Sequence, residues 1–390
     1  MTSSSSGFEP TLDLLRTLLD AQDAPPDVLL HRARTASYLL PPLVLSVADR
    51  EGHRLGTGSE DEVRRHRERI ALYRKIAELA VSHGARVVKG PALARFLPPW
   101  VVRTSGDLDL LAPGEAVLWK IALAVEELFG ARELILTLAG WGAGAHLMVG
   151  LVRAAEDPWL DRELCVEIAT FAYPGDFERV PLRAAMPARE STAQLLAVAE
   201  ERLQRTFGVR DALDCLAVLT SAEAPDPAEL AEAATAWSLA PELLELVELA
   251  EDAAGAAAAV PAAHRTALAG PAAAERARRD EIEAVPGPEG ETRPERMRRL
   301  LAAGGPVAER LRAAFPVFGM PLRSGTGFAP ADRATVYEDG DLIVLTTPLD
   351  AFLLVTEQVV APDRYRRAQE LAARLATAQR GAVTAGSGQS

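Results

Sequence analysis

Two aspartates, one residue apart, begin a short apolar run in the segment "SGDLDLLA". Side chains alternate between the two faces of a strand, so Asp107 and Asp109 would share one face while Leu108 and Leu110 point to the other. Carboxylates about 7 Å apart on one face repel each other unless a cation lies between them. Mg²⁺ prefers oxygen ligands and is often shared with substrate phosphates, so this pair predicts a magnesium site.

A third carboxylate, Glu167, lies in the apolar segment "ELCVEIATF", whose composition predicts another strand. A charge in the middle of such a strand is costly to bury without a partner. If this strand lies beside the aspartate strand, the three carboxylates would form a two-metal site for phosphoryl transfer, in which one ion activates the attacking hydroxyl and the other stabilises the leaving phosphate. The alternative is a structural ion pair between Glu167 and Arg153 or Arg162.

Upstream, the segment "VVKGPAL" predicts a strand that ends at Lys89 and Gly90 and is followed by a helix. Backbone N–H groups in such a turn, together with the start of the helix, can bind a triphosphate. Only three of the 42 basic residues are lysines, so a lysine at this position favours a specific role for its ammonium group. An exposed lysine with a solvated ammonium group is the ordinary alternative.

The elements that would position these residues follow from periodicity and composition. They predict an α+β fold, in which a core with a mixed sheet and flanking helices is embedded in helical segments and followed by a small C-terminal α/β unit. The predicted segments are an N-terminal helical segment over 1–84, the core over 85–185, a helical segment packing on the core over 186–251, an Ala/Pro-rich linker or surface helix over 252–297, the C-terminal α/β unit over 298–378 and a disordered tail over 379–390.

Three local patterns make more specific structural predictions. Ser59 and Glu62 have the spacing of a capping box, which predicts that a helix starts at Ser59. The uncharged run over 134–152 contains three central glycines, which favour two buried strands joined by a turn over a membrane helix. Asp339 and Gly340 lie between two apolar runs and predict a hairpin turn.

The order of these motifs resembles that of a known superfamily. A strand, a glycine turn, a short helix, an Asp-x-Asp strand, a helix and a further acidic strand follow one another as in the DNA polymerase β-type nucleotidyltransferases. The segments "VVKGPALARFL", "VRTSGDLDLLAPGE", "CVEIATF" and "RDALDCLAVL" are similar to an uncharacterised nucleotidyltransferase family of that superfamily, over about residues 60–220. The resemblance implies a polymerase β-like nucleotidyltransferase core that uses Mg²⁺ (two ions) to transfer NMP from an NTP to a hydroxyl-type acceptor.

The resemblance also implies roles for individual residues. Asp107, Asp109 and Glu167 would bind the metal ions and carry the catalytic chemistry, with Glu167 helping to deprotonate the acceptor. The other implied residues match the family's nucleotide-binding positions, with the phosphates contacted by the lysine, the first glycine and the arginine: Lys89, Gly90, Arg103 and Gly106. Asp211 and Asp214 match a helical acidic region of the family, where a structural cap or ion pair is at least as well supported as a substrate contact.

The chain departs from the family pattern at two places. Pro91 follows Gly90 where the superfamily usually has serine or glycine, so a hydroxyl contact to phosphate is absent from this pair. Glu167 is followed by "IATF", where many relatives carry His and Trp. These departures favour an alternative function, a catalytically inactive nucleotidyltransferase-like binding or recognition subunit for a partner protein or peptide, contacted through the C-terminal unit.

Composition limits the classes of molecule that the protein is expected to bind. The formal charge of −13 opposes tight binding to a long nucleic acid, so the expected acceptor is a small molecule, a peptide or a protein, with a tRNA end left open. No P-loop, Gly-x-Ser-x-Gly or zinc-spaced histidine pattern is present. The N-terminal segment "MTSSSSGFEP" lacks the features of a signal peptide, and two cysteines form no disulfide framework, so a cytoplasmic protein with no membrane association is expected.

Overall fold

The fold is taken from a computed structural model that describes residues 8–140, 142–176, 179–255, 262–284, 290, 306–324, 328, 332–357 and 359–386. The chain divides into two compact units. The first comprises Met1–Ala77, Val87–Leu108 and Ala172–Ala284, and the second comprises Glu78–Arg86, Asp109–Phe171 and Val285–Ser390.

The described elements alternate between helices and strands in the middle of the chain and at its C-terminal end. The helices are α1 (Leu12–Leu18), α2 (Pro26–Ala36), α3 (Pro41–Arg50), α4 (Thr57–Ser82), α5 (Gly90–Ala94), α6 (Glu115–Phe129), α7 (Glu190–Glu200), α8 (Val209–Leu219), α9 (Pro227–Ala236), α10 (Ala240–Ala254), α11 (Ala262–Ala284), α12 (Val307–Arg312) and α13 (Pro362–Gly386). The strands are β1 (Arg86–Val88), β2 (Asp107–Leu111), β3 (Glu133–Ala139), β4 (His146–Arg153), β5 (Leu164–Ala169), β6 (Pro316–Pro321), β7 (Thr335–Asp339), β8 (Leu342–Thr346) and β9 (Ala351–Val355).

The first unit is built around helices that are buried on nearly every side. All residues of α7 after Glu190 are buried, and α8 is buried from Asp211 to Leu219. A helix that is hydrophobic all round belongs in an interior, and α10 packs against both of these helices. Helix α10 also contacts α11, in which Leu268 and Ala272 are fully buried. The Ala-rich segment over 262–284 is therefore a packed helix of this unit.

The nine strands form one mixed sheet in the order β1-β2-β5-β4-β3-β6-β9-β8-β7. Strands β3 and β4 are antiparallel, with Glu133 opposite Val152 and Ala139 opposite His146. This pairing confirms the prediction of two strands, rather than one helix, over 134–152. On its other edge β3 pairs with β6, so the C-terminal strands extend the same sheet.

Local sequence patterns explain which helices pack on the strands of the second unit. Helix α6 buries Leu118, Ile121 and Val125 against β4 and β5, and it ends at Gly130 in the left-handed conformation, with φ of 63°, that commonly stops a helix. Strands β8 and β9 are continuous apolar runs that are fully buried, and α13 packs on them. The Asp339–Gly340 hairpin is confirmed, because β7 and β8 pair on either side of it and Gly340 has φ of 63°.

The α+β fold class predicted from the sequence is confirmed by this architecture. The predicted helix start at Ser59 is wrong, because α4 begins at Thr57 and Glu62 accepts a hydrogen bond from Arg34 at 2.6 Å. Of the expected tail, residues up to Gly386 belong to α13 and residues 387–390 lie outside the described part of the chain. Within the described residues, no helix combines the length and apolarity needed to cross a membrane.

Candidate functional site

The turn between β1 and α5 has an unusual backbone. Lys89 has φ of 57° and Gly90 has φ of 45°, so two successive residues have left-handed φ values. For a residue with a side chain such a conformation costs free energy and needs support from its surroundings. Gln194 of α7 supplies this support: its Oε1 accepts a hydrogen bond from the Lys89 N–H at 2.6 Å, and its Nε2 donates to the Val87 carbonyl at 3.1 Å.

Gly90 lies directly against the segment that leads into β2. A Cβ atom at Gly90 would be 3.0 Å from the Ser105 Oγ, a distance tighter than ordinary van der Waals contact. The Gly90 carbonyl accepts a hydrogen bond from the Arg103 Nη1 at 2.8 Å. The glycine turn and the segment before Asp107, which are separate motifs in the sequence, therefore meet in the first unit.

Arg103 is held by a buried ion pair. Its Nε and Nη2 each donate to one carboxylate oxygen of Asp214 at 2.6 Å, and both side chains are less than 5% exposed. Two parallel charge-assisted hydrogen bonds fix the plane of the guanidinium. Arg103, predicted as a phosphate contact, is thus engaged by Asp214 and by the Gly90 carbonyl. The structural ion-pair interpretation of Asp214 is confirmed.

Gly106 is contacted by residues of helix α4. Its carbonyl accepts hydrogen bonds from the Tyr73 Oη at 3.0 Å and from the Arg69 Nη2 at 3.3 Å. A Cβ at this position would lie 2.4 Å from the Tyr38 Oη, so only glycine fits without displacing that ring. The close approach of Tyr38 explains why a glycine precedes Asp107.

The Lys89 side chain belongs to an ionic cluster on the first unit. Its ammonium group pairs with Glu201. The Arg205 Nε also contacts Glu201, at 3.1 Å, and the Arg205 guanidinium forms a two-pronged pair with Asp211 at 2.7 and 2.9 Å. Asp211 additionally accepts a hydrogen bond from the Gly208 N–H at 2.8 Å, which confirms its interpretation as a cap and ion-pair residue. Lys89 is therefore only partly exposed and has a carboxylate partner of its own.

Glu200 lies next to this cluster and is almost completely buried. The pKa of its carboxyl group is raised to about 7, chiefly by burial and also by the neighbouring Glu201. The Lys89 ammonium and the hydrogen bond from the Gly175 N–H oppose this rise. That hydrogen bond is 3.2 Å long. The turn that carries Lys89 is thus adjacent to a carboxyl group that changes charge near neutral pH.

The predicted metal ligands lie on two strands. In β2 the exposure alternates: Asp107 is exposed and Asp109 is half-buried, whereas Leu108 and Leu110 are buried, so the two aspartates occupy the more exposed face. Hard oxygen donors at alternate positions of one strand suit Mg²⁺, which is often held by one or two carboxylates together with substrate phosphates. Among the described residues, no group of three or more His, Cys, Asp or Glu is arranged to hold a metal ion.

Glu167 is on β5, the neighbour of β2 in the sheet. In the second unit the Ala112 N–H, just after β2, donates to the Ala169 carbonyl at the end of β5, at 2.8 Å. Glu167 is half-buried, whereas its neighbours Val166 and Ile168 are fully buried. The Glu167 side chain is therefore more exposed than the apolar sequence around it suggests. The adjacency of the Asp and Glu strands, on which the three-carboxylate prediction depends, is therefore present.

Sequence reasoning missed several residues that shape this site. Gln194 and Tyr73 lie in helices that read as ordinary amphipathic or apolar segments, and only the fold shows that they hold the Lys89 N–H and the Gly106 carbonyl. Arg210 is the first residue of the segment "RDALDC", for which the sequence predicts roles only for the two aspartates. The sequence signal for Arg210 is that a basic residue lies close to two acidic ones in this segment.

The structure thus defines an α+β protein in which, within the first unit, a glycine turn is hydrogen-bonded to the segment that precedes Asp107. Comparison of the chain with models of known protein families, with curated proteins and with solved structures finds no match.

Proposed function

We propose that the protein is a Mg²⁺-dependent nucleotidyltransferase that transfers NMP from an NTP to a hydroxyl-type acceptor, on a polymerase β-like nucleotidyltransferase core. The observation that carries the proposal is the hydrogen bond of 2.8 Å between the Arg103 Nη1 and the Gly90 carbonyl. It joins the turn suited to binding phosphate to the segment that enters the Asp-x-Asp strand. Phosphate binding and metal binding need to be adjacent for this chemistry.

In the proposed site, each residue has one task. The backbone around Gly90 binds the triphosphate, and the Ser105 Oγ, close to Gly90, offers the hydroxyl that Pro91 cannot provide. Asp107 and Asp109 hold Mg²⁺, which neutralises charge on the phosphates when bound. Arg103 acts as a positioning residue, because its side chain is occupied by Asp214 and the Gly90 carbonyl.

The reaction then balances as an in-line substitution at the α-phosphorus. The acceptor oxygen forms a new P–O bond, the bond between the α-phosphorus and the oxygen leading to the β-phosphorus breaks, and pyrophosphate leaves with that electron pair. Glu167 takes the proton of the acceptor hydroxyl. The acidic chain favours a small-molecule, peptide or protein acceptor over a long nucleic acid.

A double substitution tests this proposal. D107N/D109N removes two carboxylates from an exposed and a half-buried position, so the fold should be retained while Mg²⁺-dependent NTP binding and pyrophosphate release are lost. A matched control is D49N/D252N, which changes the same charge at two exposed positions outside the proposed site. Equal NTP binding and pyrophosphate release by the wild type and D107N/D109N would refute the proposal.

A second candidate is the non-catalytic binding subunit. It is favoured by one observation: Lys89 and Arg103, the two predicted phosphate contacts, are already paired with Glu201 and Asp214. Thermal unfolding with each of four NTPs, in the presence and absence of Mg²⁺, separates the two functions. A Mg²⁺-dependent rise in Tm with any NTP supports the transferase, and unchanged Tm values with all of them support the binding subunit.

A further inference from the structure

Arg210 lies on α8, the helix whose Asp214 binds Arg103 next to the glycine turn. It is the second residue of α8, one turn before Asp214. Residues four apart in an α-helix share a face, so Arg210 projects from the face that carries Asp214. Asp214 binds Arg103, and Arg103 binds the Gly90 carbonyl. Arg210 therefore belongs to the part of the first unit where the proposed triphosphate site is assembled.

The nearby carboxylates of α8 are already occupied. Both oxygens of Asp214 accept hydrogen bonds from Arg103, and both oxygens of Asp211 accept hydrogen bonds from Arg205. Within the described ranges of the chain, the half-buried Arg210 guanidinium makes no hydrogen bond or ion pair with any protein group. A half-buried guanidinium whose hydrogen-bond donors are not used by the protein is available to bind an anion that is not part of the protein.

The electrostatic surroundings of Arg210 agree with this interpretation. The pKa of its guanidinium is lowered to about 10, chiefly by burial and also by the neighbouring Arg103 cation, against the opposing effect of the carboxylates of Asp214, Asp211 and Asp107. The group is therefore near Asp107, one of the two aspartates of the metal-binding strand. A cation in the first turn of a helix is also disfavoured by the helix dipole. These costs would be offset by a bound polyphosphate.

We propose that Arg210 binds the phosphate chain of the NTP, on the part of the first unit that carries Gly90 and Asp107. This inference rests on the proposed function and adds to it the residue that contacts the phosphates directly. Lys89 and Arg103 are paired with protein carboxylates, whereas Arg210 has its donors available for phosphate oxygens. A planar guanidinium suits this task because it donates two parallel hydrogen bonds to a phosphate.

The test compares R210Q, R210K and a control, R202Q, which removes an exposed arginine paired with Glu245. Affinities of each NTP and the corresponding NMP are measured by calorimetry with Mg²⁺. R210Q should weaken NTP binding by about 10- to 100-fold, the range expected for charged hydrogen bonds. NMP binding should change much less, because the lost contacts are to phosphates that NMP lacks. R210K should retain part of the NTP affinity, and R202Q should behave as the wild type.

Thermal unfolding distinguishes this role from a structural one. Because Arg210 makes no hydrogen bond or ion pair in the described part of the chain and burial disfavours its charge, the Tm of ligand-free R210Q should equal or exceed that of the wild type. NTP binding by R210Q at wild-type affinity would overturn the inference while leaving the proposed function intact. If the wild type itself binds no NTP with Mg²⁺, the proposed function and the inference fail together.

Discussion

Arg103 and Asp214, which are 111 residues apart in the chain, form a buried pair with two parallel hydrogen bonds of 2.6 Å. The pair connects the segment before β2 to helix α8, and a third hydrogen bond extends it to the Gly90 carbonyl. One ionic contact thus holds three pieces of the candidate site in the first unit.

Breaking this pair should be strongly destabilising. D214N leaves the Arg103 guanidinium buried with a weakened partner, and D214A leaves it with none, so the free energy of unfolding should fall by about 3–5 kcal/mol for D214A and by less for D214N. Urea unfolding measures both values. Changing both residues, as R103M/D214L, should cost less than D214A, because no charge remains buried. A double variant at least as unstable as D214A would contradict this interpretation.

Gly90 should tolerate alanine poorly, for two separable reasons. Its φ of 45° is unfavourable for alanine, and a Cβ would lie 3.0 Å from the Ser105 Oγ. We expect G90A to lower the free energy of unfolding by about 2 kcal/mol, of which about 1–2 kcal/mol is the backbone contribution. In G90A/S105A the hydroxyl is absent, so only the backbone contribution should remain.

The control for the backbone contribution is G130A. Gly130 also has a positive φ, of 63°, but a Cβ there would meet no atom within 4 Å. Chemical denaturation of the three variants and the wild type separates conformational strain from the contact with Ser105. Similar losses in G90A and G90A/S105A would show that the hydroxyl does not restrict the site.

Glu200 should make stability depend on pH. Because its carboxyl pKa is raised from 4.5 to about 7 in the folded protein, the folded state binds the proton more tightly than the unfolded state does. Stability is therefore lost as the pH rises from about 4.5 to about 7, and the loss reaches about 3 kcal/mol above that range. E200Q, which remains neutral, should match the wild type at pH 4.5 and exceed its stability at pH 8.

The measurement is the free energy of unfolding of both proteins across this pH range. E232Q, at an exposed position of α9, controls for the loss of one negative charge. A difference between E200Q and the wild type that does not change with pH would contradict the raised pKa.

Local sequence patterns predicted the parts of the fold that depend on neighbouring residues. The antiparallel pair β3–β4 and the turn at Gly340 follow from apolar runs interrupted by glycine. The pairing of β3 with β6 could not be predicted in this way, since it joins residues about 180 positions apart, such as Leu136 and Gly319. Periodicity shows that a strand is half-buried but not which strand lies next to it.

The candidate site likewise has features that local sequence predicts and features that it does not. The glycine turn, the Asp-x-Asp strand and the acidic strand were recognisable because each motif lies within a few residues. The partners that fix them were not recognisable: Gln194 holds the Lys89 N–H across 105 residues, and Asp214 neutralises Arg103 across 111. Only the fold shows which arginine is neutralised by a protein carboxylate and which is not.

Mass spectrometry after incubation with each NTP and Mg²⁺ tests nucleotidyl transfer most directly. The protein is incubated with hydroxyl-bearing small molecules, peptides and proteins, and the masses of the acceptors and of the protein itself are recorded. The account predicts that one of them gains the mass of an NMP less water, with release of pyrophosphate, and that D107N/D109N gives no product while D49N/D252N does. Unchanged masses with intact NTP for the wild type, or equal transfer by D107N/D109N, would contradict it.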